Sequence, residues 1–188
     1  ILYRKKSECR RQKYFKQKEK LRVTGNPVRH SLMLGDKTEA LKYFGLSDNK
    51  KTLLVLGGSL GAASINNAIV ASLKEFEKHG IQVIWQTGKN YFEQNKNLAS
   101  GMNFISAFIE RMDNAYTACD MVLARAGATT ISEITVLGLA AVLVPSPNVA
   151  ENHQYYNAKS LELKNAAVLI KDADINEKII PVINKLVY

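Results

Sequence analysis

Cysteine is scarce in this 188-residue sequence: Cys9 and Cys119 are the only two, and they stand too far apart for any metal-ligand spacing. A disulfide framework and a zinc finger are thereby excluded, and two reduced thiols in a cytoplasmic protein is the reading they support. No apolar run approaches the ~20 residues that span a bilayer. Nor is there a signal-peptide core, because Ile1-Leu2-Tyr3 runs at once into Arg4, Lys5 and Lys6. An initiator Met is also missing, from which we expect the chain to begin inside a longer reading frame. Internal repeats and low-complexity tracts are absent. So is a Walker A loop, which excludes the P-loop nucleotidases, and no stretch spells G-x-G-x-x-G.

What is present begins with charge in one place. The net charge is +9, and residues 1–29 hold eleven Lys/Arg against two Glu. Residues 30–188 carry fifteen of each sign, so the rest of the chain is balanced. A nucleic-acid reader more often spreads its basic charge over a folded surface, and no nucleic-acid partner is expected. The leading segment, residues 1–23, is either a solvated arm or a contact for anionic lipid or a neighbouring domain.

Short, continuously apolar runs recur at Thr52–Leu56, Ile81–Gln86, Asn103–Ser106, Met121–Ala124, Ala140–Val144 and Ala167–Ile170. Such runs suit strands buried on both faces. Helical stretches separate them: 62–78, 91–97, 112–119, 129–137 and 152–163, with a shorter one over 38–44 ahead of the first strand. In the first of these, Ile65, Ile69, Leu73 and Phe76 form a stripe at helical spacing. A last helix over 175–186 is expected to kink or break at Pro181. Strand–helix alternation predicts right-handed crossovers and an α/β fold with a doubly wound parallel sheet, one domain over residues 24–188. Ligands of such sheets sit outside the carboxyl ends of the strands.

Chemistry-bearing residues fall at those ends. Gly57-Gly58-Ser59-Leu60-Gly61-Ala62 follows the first strand and opens the longest helix. Its glycines let phosphate oxygens reach backbone amides and a helix N-terminus, although a tight turn without ligand uses the same residues. A second glycine turn, Arg125-Ala126-Gly127-Ala128-Thr129-Thr130, follows the fourth strand. Glu133, one turn into the next helix, is either a ribose-hydroxyl acceptor or an acid placed by the helix dipole. After the fifth strand, Asn152-His153-Gln154 offers donors and acceptors to sugar hydroxyls, with a helix cap as the simpler role for His153. In Gly25-Asn26-Pro27-Val28-Arg29, Pro27 holds Asn26 extended and aims a guanidinium suited to a diphosphate. Phe108-Ile109, ahead of Met112, is either core or a face for a base.

Taken in order, Thr24–Arg29, Gly57–Ala62, Phe108-Ile109, Arg125–Thr129, His153-Gln154 and Asn157-Ala158 resemble the C-terminal half of the MurG family of N-acetylglucosaminyltransferases. The resemblance spans residues 24–188. It implies the Rossmann-like C-terminal domain of a GT-B glycosyltransferase, which holds UDP-N-acetylglucosamine while an N-terminal half holds a lipid-linked muramoyl-pentapeptide acceptor. On matching positions it implies that Arg29 and Ser59, Leu60 and Gly61 meet the diphosphate, with Ala128 and Thr129 beside it. Ile109 would meet uracil through its backbone, flanked by Phe108 and Met112; Glu133 would hold the ribose, and His153 and Gln154 the sugar. It further implies an inverting, metal-independent transfer with no cofactor and no D-x-D carboxylate pair. The setting implied is peptidoglycan synthesis at the inner face of the bacterial plasma membrane. Residues 1–23 resemble the end of the N-terminal half, so no catalytic residue is expected in this chain and none of its own activity alone. Gly138-Leu139-Ala140 departs from the family's Gly-x-Pro, which is expected to alter the turn but not the site.

Two other readings stay open at this level. One is a stand-alone UDP-N-acetylglucosamine-binding subunit completed by a separate membrane partner, as in the two-subunit eukaryotic enzyme. The other is a nucleotide-binding module that is not an enzyme.

Overall fold

Every predicted apolar run becomes a strand in the computed structural model, which describes residues 25–187. The basic segment 1–23, Thr24 and Tyr188 lie outside the described residues. The strands are β1 (Lys51–Leu56), β2 (Ile81–Gln86), β3 (Asn103–Ser106), β4 (Met121–Ala124), β5 (Ala140–Leu143) and β6 (Val168–Leu169). The helices are α1 (Lys37–Tyr43), α2 (Ala63–Lys78), α3 (Phe92–Asn95), α4 (Met112–Ala118), α5 (Ala128–Leu137), α6 (His153–Glu162) and α7 (Ile175–Val187). All strand pairs are parallel, in the order β3-β2-β1-β4-β5-β6. The order reverses between β1 and β4, which makes that junction the switch point of a doubly wound sheet.

Alternation along β1 divides the core in two. Leu53 and Val55 face α2 and α7, where Ile65, Ile69, Phe76, Ile175, Ile179 and Ile183 are buried. Leu54 and Leu56 face the other side with Ile84, Val122, Ala124 and Ile131. The stripe expected on α2 is therefore the buried one, with Leu73 only partly covered.

Of the kink or break expected at Pro181, the break does not occur. α7 runs through it, although an interior Pro removes a hydrogen bond and costs on the order of 3 kcal/mol. Ile175, Ile179 and Ile183 are each at most 1% exposed, and burying three Ile side chains at roughly 1.5–3 kcal/mol each outweighs that loss. Gly138 closes α5 in the left-handed region, so the Leu139-Ala140 departure leaves that turn intact. Two strand runs are not wholly apolar inside: Thr52, Gln82 and Gln86 are buried. Among the described residues, no helix is long and apolar enough to cross a membrane.

Candidate functional site

Register sets the site. Leu56 pairs with Gln86 on one side and Ala124 on the other, and Gln86 pairs with Ser106. Four chain segments therefore leave the sheet at one level: the Gly57–Ala62 loop, Thr87-Gly88, Ala107–Ile109 and Arg125–Gly127. Between them lies a cleft of about 720 Å³, lined by Gly57, Gly58, Gly61, Met112, Glu133 and Gln154 among others. That volume is within the ~300–1,000 Å³ usual for ligand pockets.

Two helices point their N-termini into this cleft, and neither has a side-chain cap. α2 begins after Ala62 and α5 after Gly127, with no side-chain hydrogen bond to the first-turn amides in either case. Their free N–H groups and partial positive charge suit an anion. The Gly57–Ala62 loop is pressed from behind by Thr87-Gly88. A Cβ on Gly61 (φ +92°) would lie 2.3 Å from the Thr87 carbonyl oxygen, and one on Gly88 (φ +82°) would lie 2.1 Å from the Gly61 nitrogen. Both positions accept only glycine. Behind them, the buried Trp85 Nε1–H donates to Asn66 Oδ1 at 3.0 Å, and Asn66 Nδ2 donates to the Thr87 carbonyl at 2.9 Å.

α5 begins at Ala128, one residue before its predicted start. Its cleft face is Gly127, Thr130 and Glu133, spaced by three. Ala128 and Thr129 are exposed and outside the lining, so Thr130 is the threonine that reaches the cleft. Glu133 accepts a hydrogen bond from the Tyr116 hydroxyl at 2.9 Å. Burial of Tyr116, reinforced by the charge and hydrogen bond of Glu133, pushes its pKa well above the ordinary tyrosine range, with Arg29 opposing. Tyr116 is thus a permanent donor that fixes one carboxylate oxygen and leaves the other to the cleft.

The strut at Gly25–Arg29 docks on α5, where Asn26 Nδ2 donates to Ser132 Oγ at 3.1 Å. Arg29 is exposed beyond it and does not line the cleft. Ser59 and Leu60 are likewise exposed at the loop tip, with Gly61 lining the cleft. Phe108 is exposed and outside the cleft lining, its N–H and carbonyl both bonded to Ser106 Oγ. Ile109 is buried in the core, outside the cleft lining, and its N–H donates to Gln86 Oε1 at 3.0 Å.

Gln154 lines the cleft with Ser146, Pro147 and Asn148. Its Oε1 accepts from the Ser146 N–H at 2.9 Å, so its amino group is the end left to a ligand. His153, the first residue of α6, is exposed and outside the lining, with Nδ1 2.9 Å from the Ala150 carbonyl. The turn before it holds Glu151 and Asn152 in the left-handed region, a conformation costly for Glu.

The expectation of no D-x-D run needs correction. Asp172-Ala173-Asp174 is one, and Asp172 lines the cleft. Each carboxylate is matched: Asp172 pairs with Arg125 and accepts from Ser64 Oγ, and Asp174 pairs with Lys178 at 2.7 Å. Among the described residues, no group of three or more His, Cys, Asp or Glu is arranged to hold a metal ion. Sequence reasoning also missed Tyr116, Gln86 and Gly88, and gave no separate role to Arg125 and Thr130 of the second glycine turn. Gln86 ends a strand and Gly88 follows it, where the other site residues also lie; Tyr116, mid-helix, carries no signal.

Residues 52–188 match the family described as the glycosyltransferase family 28 C-terminal domain. The chain is 51% identical over 176 residues to the UDP-N-acetylglucosamine--N-acetylmuramyl-(pentapeptide) pyrophosphoryl-undecaprenol N-acetylglucosamine transferase of Parabacteroides distasonis, covering 90% of this chain and 48% of that protein. To the protein of the same name from Christiangramia forsetii it is 47% identical, covering 87% and 45%. MurG from Acinetobacter baumannii superposes with a TM-score of 0.64 at 29% identity, over 88% of this chain and 50% of that one. The chain thus spans about half the length of the curated relatives it matches. The glycosyltransferase SnogD from Streptomyces nogalater, at 13% identity and a TM-score of 0.51, shares the fold.

Proposed function

From the premise that the chain belongs to glycosyltransferase family 28, carrying its C-terminal domain, we propose that the cleft binds UDP-N-acetylglucosamine as donor for transfer to a lipid-linked muramoyl-pentapeptide acceptor. The observation that carries this reading is the pair of uncapped helix N-termini, α2 and α5, meeting at the sheet's switch point beside a fixed carboxylate. The diphosphate lies against Gly57–Ala62 and the two N-termini, with Thr130 on one side and Arg29 reaching in from the strut. Glu133, oriented by Tyr116, accepts from the ribose hydroxyls. The Ile109 carbonyl accepts from uracil N3–H between Phe108 and Met112, and the Gln154 amino group meets the sugar. His153, bonded to Ala150, closes the outer side of the sugar subsite.

In the transfer, an acceptor hydroxyl attacks the anomeric carbon from the face opposite UDP. The bond to the diphosphate oxygen breaks, configuration inverts, and UDP leaves carrying the electron pair. Charge growing on the diphosphate is offset by fixed amide dipoles, each helix end contributing about 0.3–1 kcal/mol and up to ~2 when partly buried. The base that takes the acceptor's proton belongs to the acceptor-binding half. Work at the inner face of the bacterial plasma membrane, in peptidoglycan synthesis, follows from this acceptor.

Calorimetric titration of the chain with UDP and AMP tests the reading. UDP is expected to bind measurably tighter, and equal affinities for the two would remove it.

A further inference from the structure

Gln86 ends β2, is 4% exposed, and spends its amide on two loops that are distant in sequence. Its Oε1 accepts from the Ile109 N–H at 3.0 Å, and its Nε2 donates to the Gly58 carbonyl at 3.2 Å. Gly58 lies in the loop assigned to the diphosphate, and Ile109 in the loop assigned to the base. Among uncharged side chains, a primary amide can accept from one backbone group and donate to another through separate, fixed atoms. Register also puts Gln86 beside Leu56 and Ser106, the last strand residues before those two loops.

We propose that Gln86 is a positioning residue of the donor site: by tying Ile109 to Gly58 it sets the spacing between the base loop and the diphosphate loop, and so favours a complete nucleoside diphosphate over either of its halves. This inference rests on the reading of the cleft as a UDP-sugar site. The two halves of UDP are covalently joined, so their affinities combine only where both loops stand at the ligand's own separation. A tether inside the protein holds that separation before the ligand arrives, which lowers the ordering cost of binding. Backbone groups of Thr87 and Lys89 reach Ser106 and Ser59 alongside it, at 3.0 and 3.2 Å, and Gln86 is the side chain that joins Gly58 to Ile109. Glu133 is held by α4, and Gln154 by Ser146.

The test titrates UDP by calorimetry and uridine by NMR into the wild-type chain, Gln86→Leu and Gln86→Glu. The glutamate keeps the acceptor for Ile109 and loses the donor for Gly58; leucine loses both. The Kd for UDP is expected to rise at least tenfold in Gln86→Leu and severalfold in Gln86→Glu, while uridine stays within threefold of wild type in Gln86→Glu. Failure of the wild-type chain to bind UDP would remove the donor-site reading and the positioning role with it. Wild-type binding together with an unchanged Kd in Gln86→Leu would overturn the positioning role alone. So would equal loss of UDP and uridine in both variants in step with a falling Tm, which marks a residue that only holds the core. Hydrogen exchange on the unaltered chain needs no variant to fold: the Ile109 amide is expected to be protected, and exchange at the rate of an open loop overturns the tether.

Discussion

The two ends of the parallel strands are finished differently. At the amino ends, polar groups are closed off by the protein itself. Asp120 accepts from the Thr52 N–H at 2.8 Å and from Lys37 at 2.8 Å, and buried Gln82 bonds Ser47 through both amide atoms. Even α1 there is capped, by Asp36 on the Glu39 amide. At the carboxyl ends α2 and α5 start without side-chain caps, and the loops between them enclose a cleft. An uncapped N-terminus forgoes roughly 0.5–2 kcal/mol of helix stability. The amino ends therefore serve the fold, while the carboxyl ends keep donors open for an anion.

The largest break in that comparison is expected at Gly88. Alanine there meets the Gly61 nitrogen at 2.1 Å with the backbone at φ +82°. Left-handed strain and overpacking together come to roughly 3 kcal/mol, and the loop against which it pushes is the one assigned to the diphosphate. Denaturant unfolding and UDP titration should both show the loss. Gly101→Ala, where a Cβ meets nothing within 4 Å, should show neither.

Glu133→Ala comes next and acts on the open end. Loss of the ribose acceptor is expected to weaken UDP by about 2 kcal/mol in calorimetry. An unchanged affinity would leave Glu133 as no more than a partner for Tyr116.

Asp120→Ala sharpens the comparison from the closed end. The buried Thr52 N–H loses its acceptor, costing about 1–2 kcal/mol of stability, while UDP affinity should stay at the wild-type value. Burial alone would raise the Asp120 pKa, but the Lys37 hydrogen bond, the Thr52 N–H and the charges of Lys37 and Lys51 together hold it below the ordinary range. A depressed folded pKa adds stability above the unfolded value near 4, and that stability is lost as pH falls through the folded pKa. The wild-type chain should thus lose more stability below about pH 4 than Asp120→Ala does. Parallel acid-unfolding curves for the two would exclude this contribution.

Sequence reached the closed end and the open end unequally. The strands were legible because six apolar runs needed burial on both faces, and three of the segments that flank the cleft were legible because glycine or a polar cluster follows a strand. Contacts made across the fold were not. Tyr116 reads as one more apolar position of a helix, and nothing local says that its hydroxyl reaches Glu133. Gln86 reads as the end of a strand, since the Gly58 and Ile109 groups it joins are 28 and 23 residues away. Pro181 misled for the same reason, because the burial that keeps α7 continuous is supplied by α2 and the sheet.

Arg29 carries the smallest expected effect. It is exposed and stands on a strut held by Asn26, outside the cleft lining, so water and salt screen its charge. Arg29→Ala should cost about 1 kcal/mol in UDP binding at low salt, and less as ionic strength rises. Because a guanidinium addresses phosphate, uridine should bind the variant as it binds wild type. Calorimetry of UDP and uridine at two salt concentrations separates the cases. Equal weakening of both ligands, insensitive to salt, would make Arg29 part of the strut that steadies α5, and the diphosphate would then be left to the amides of α2 and α5 alone.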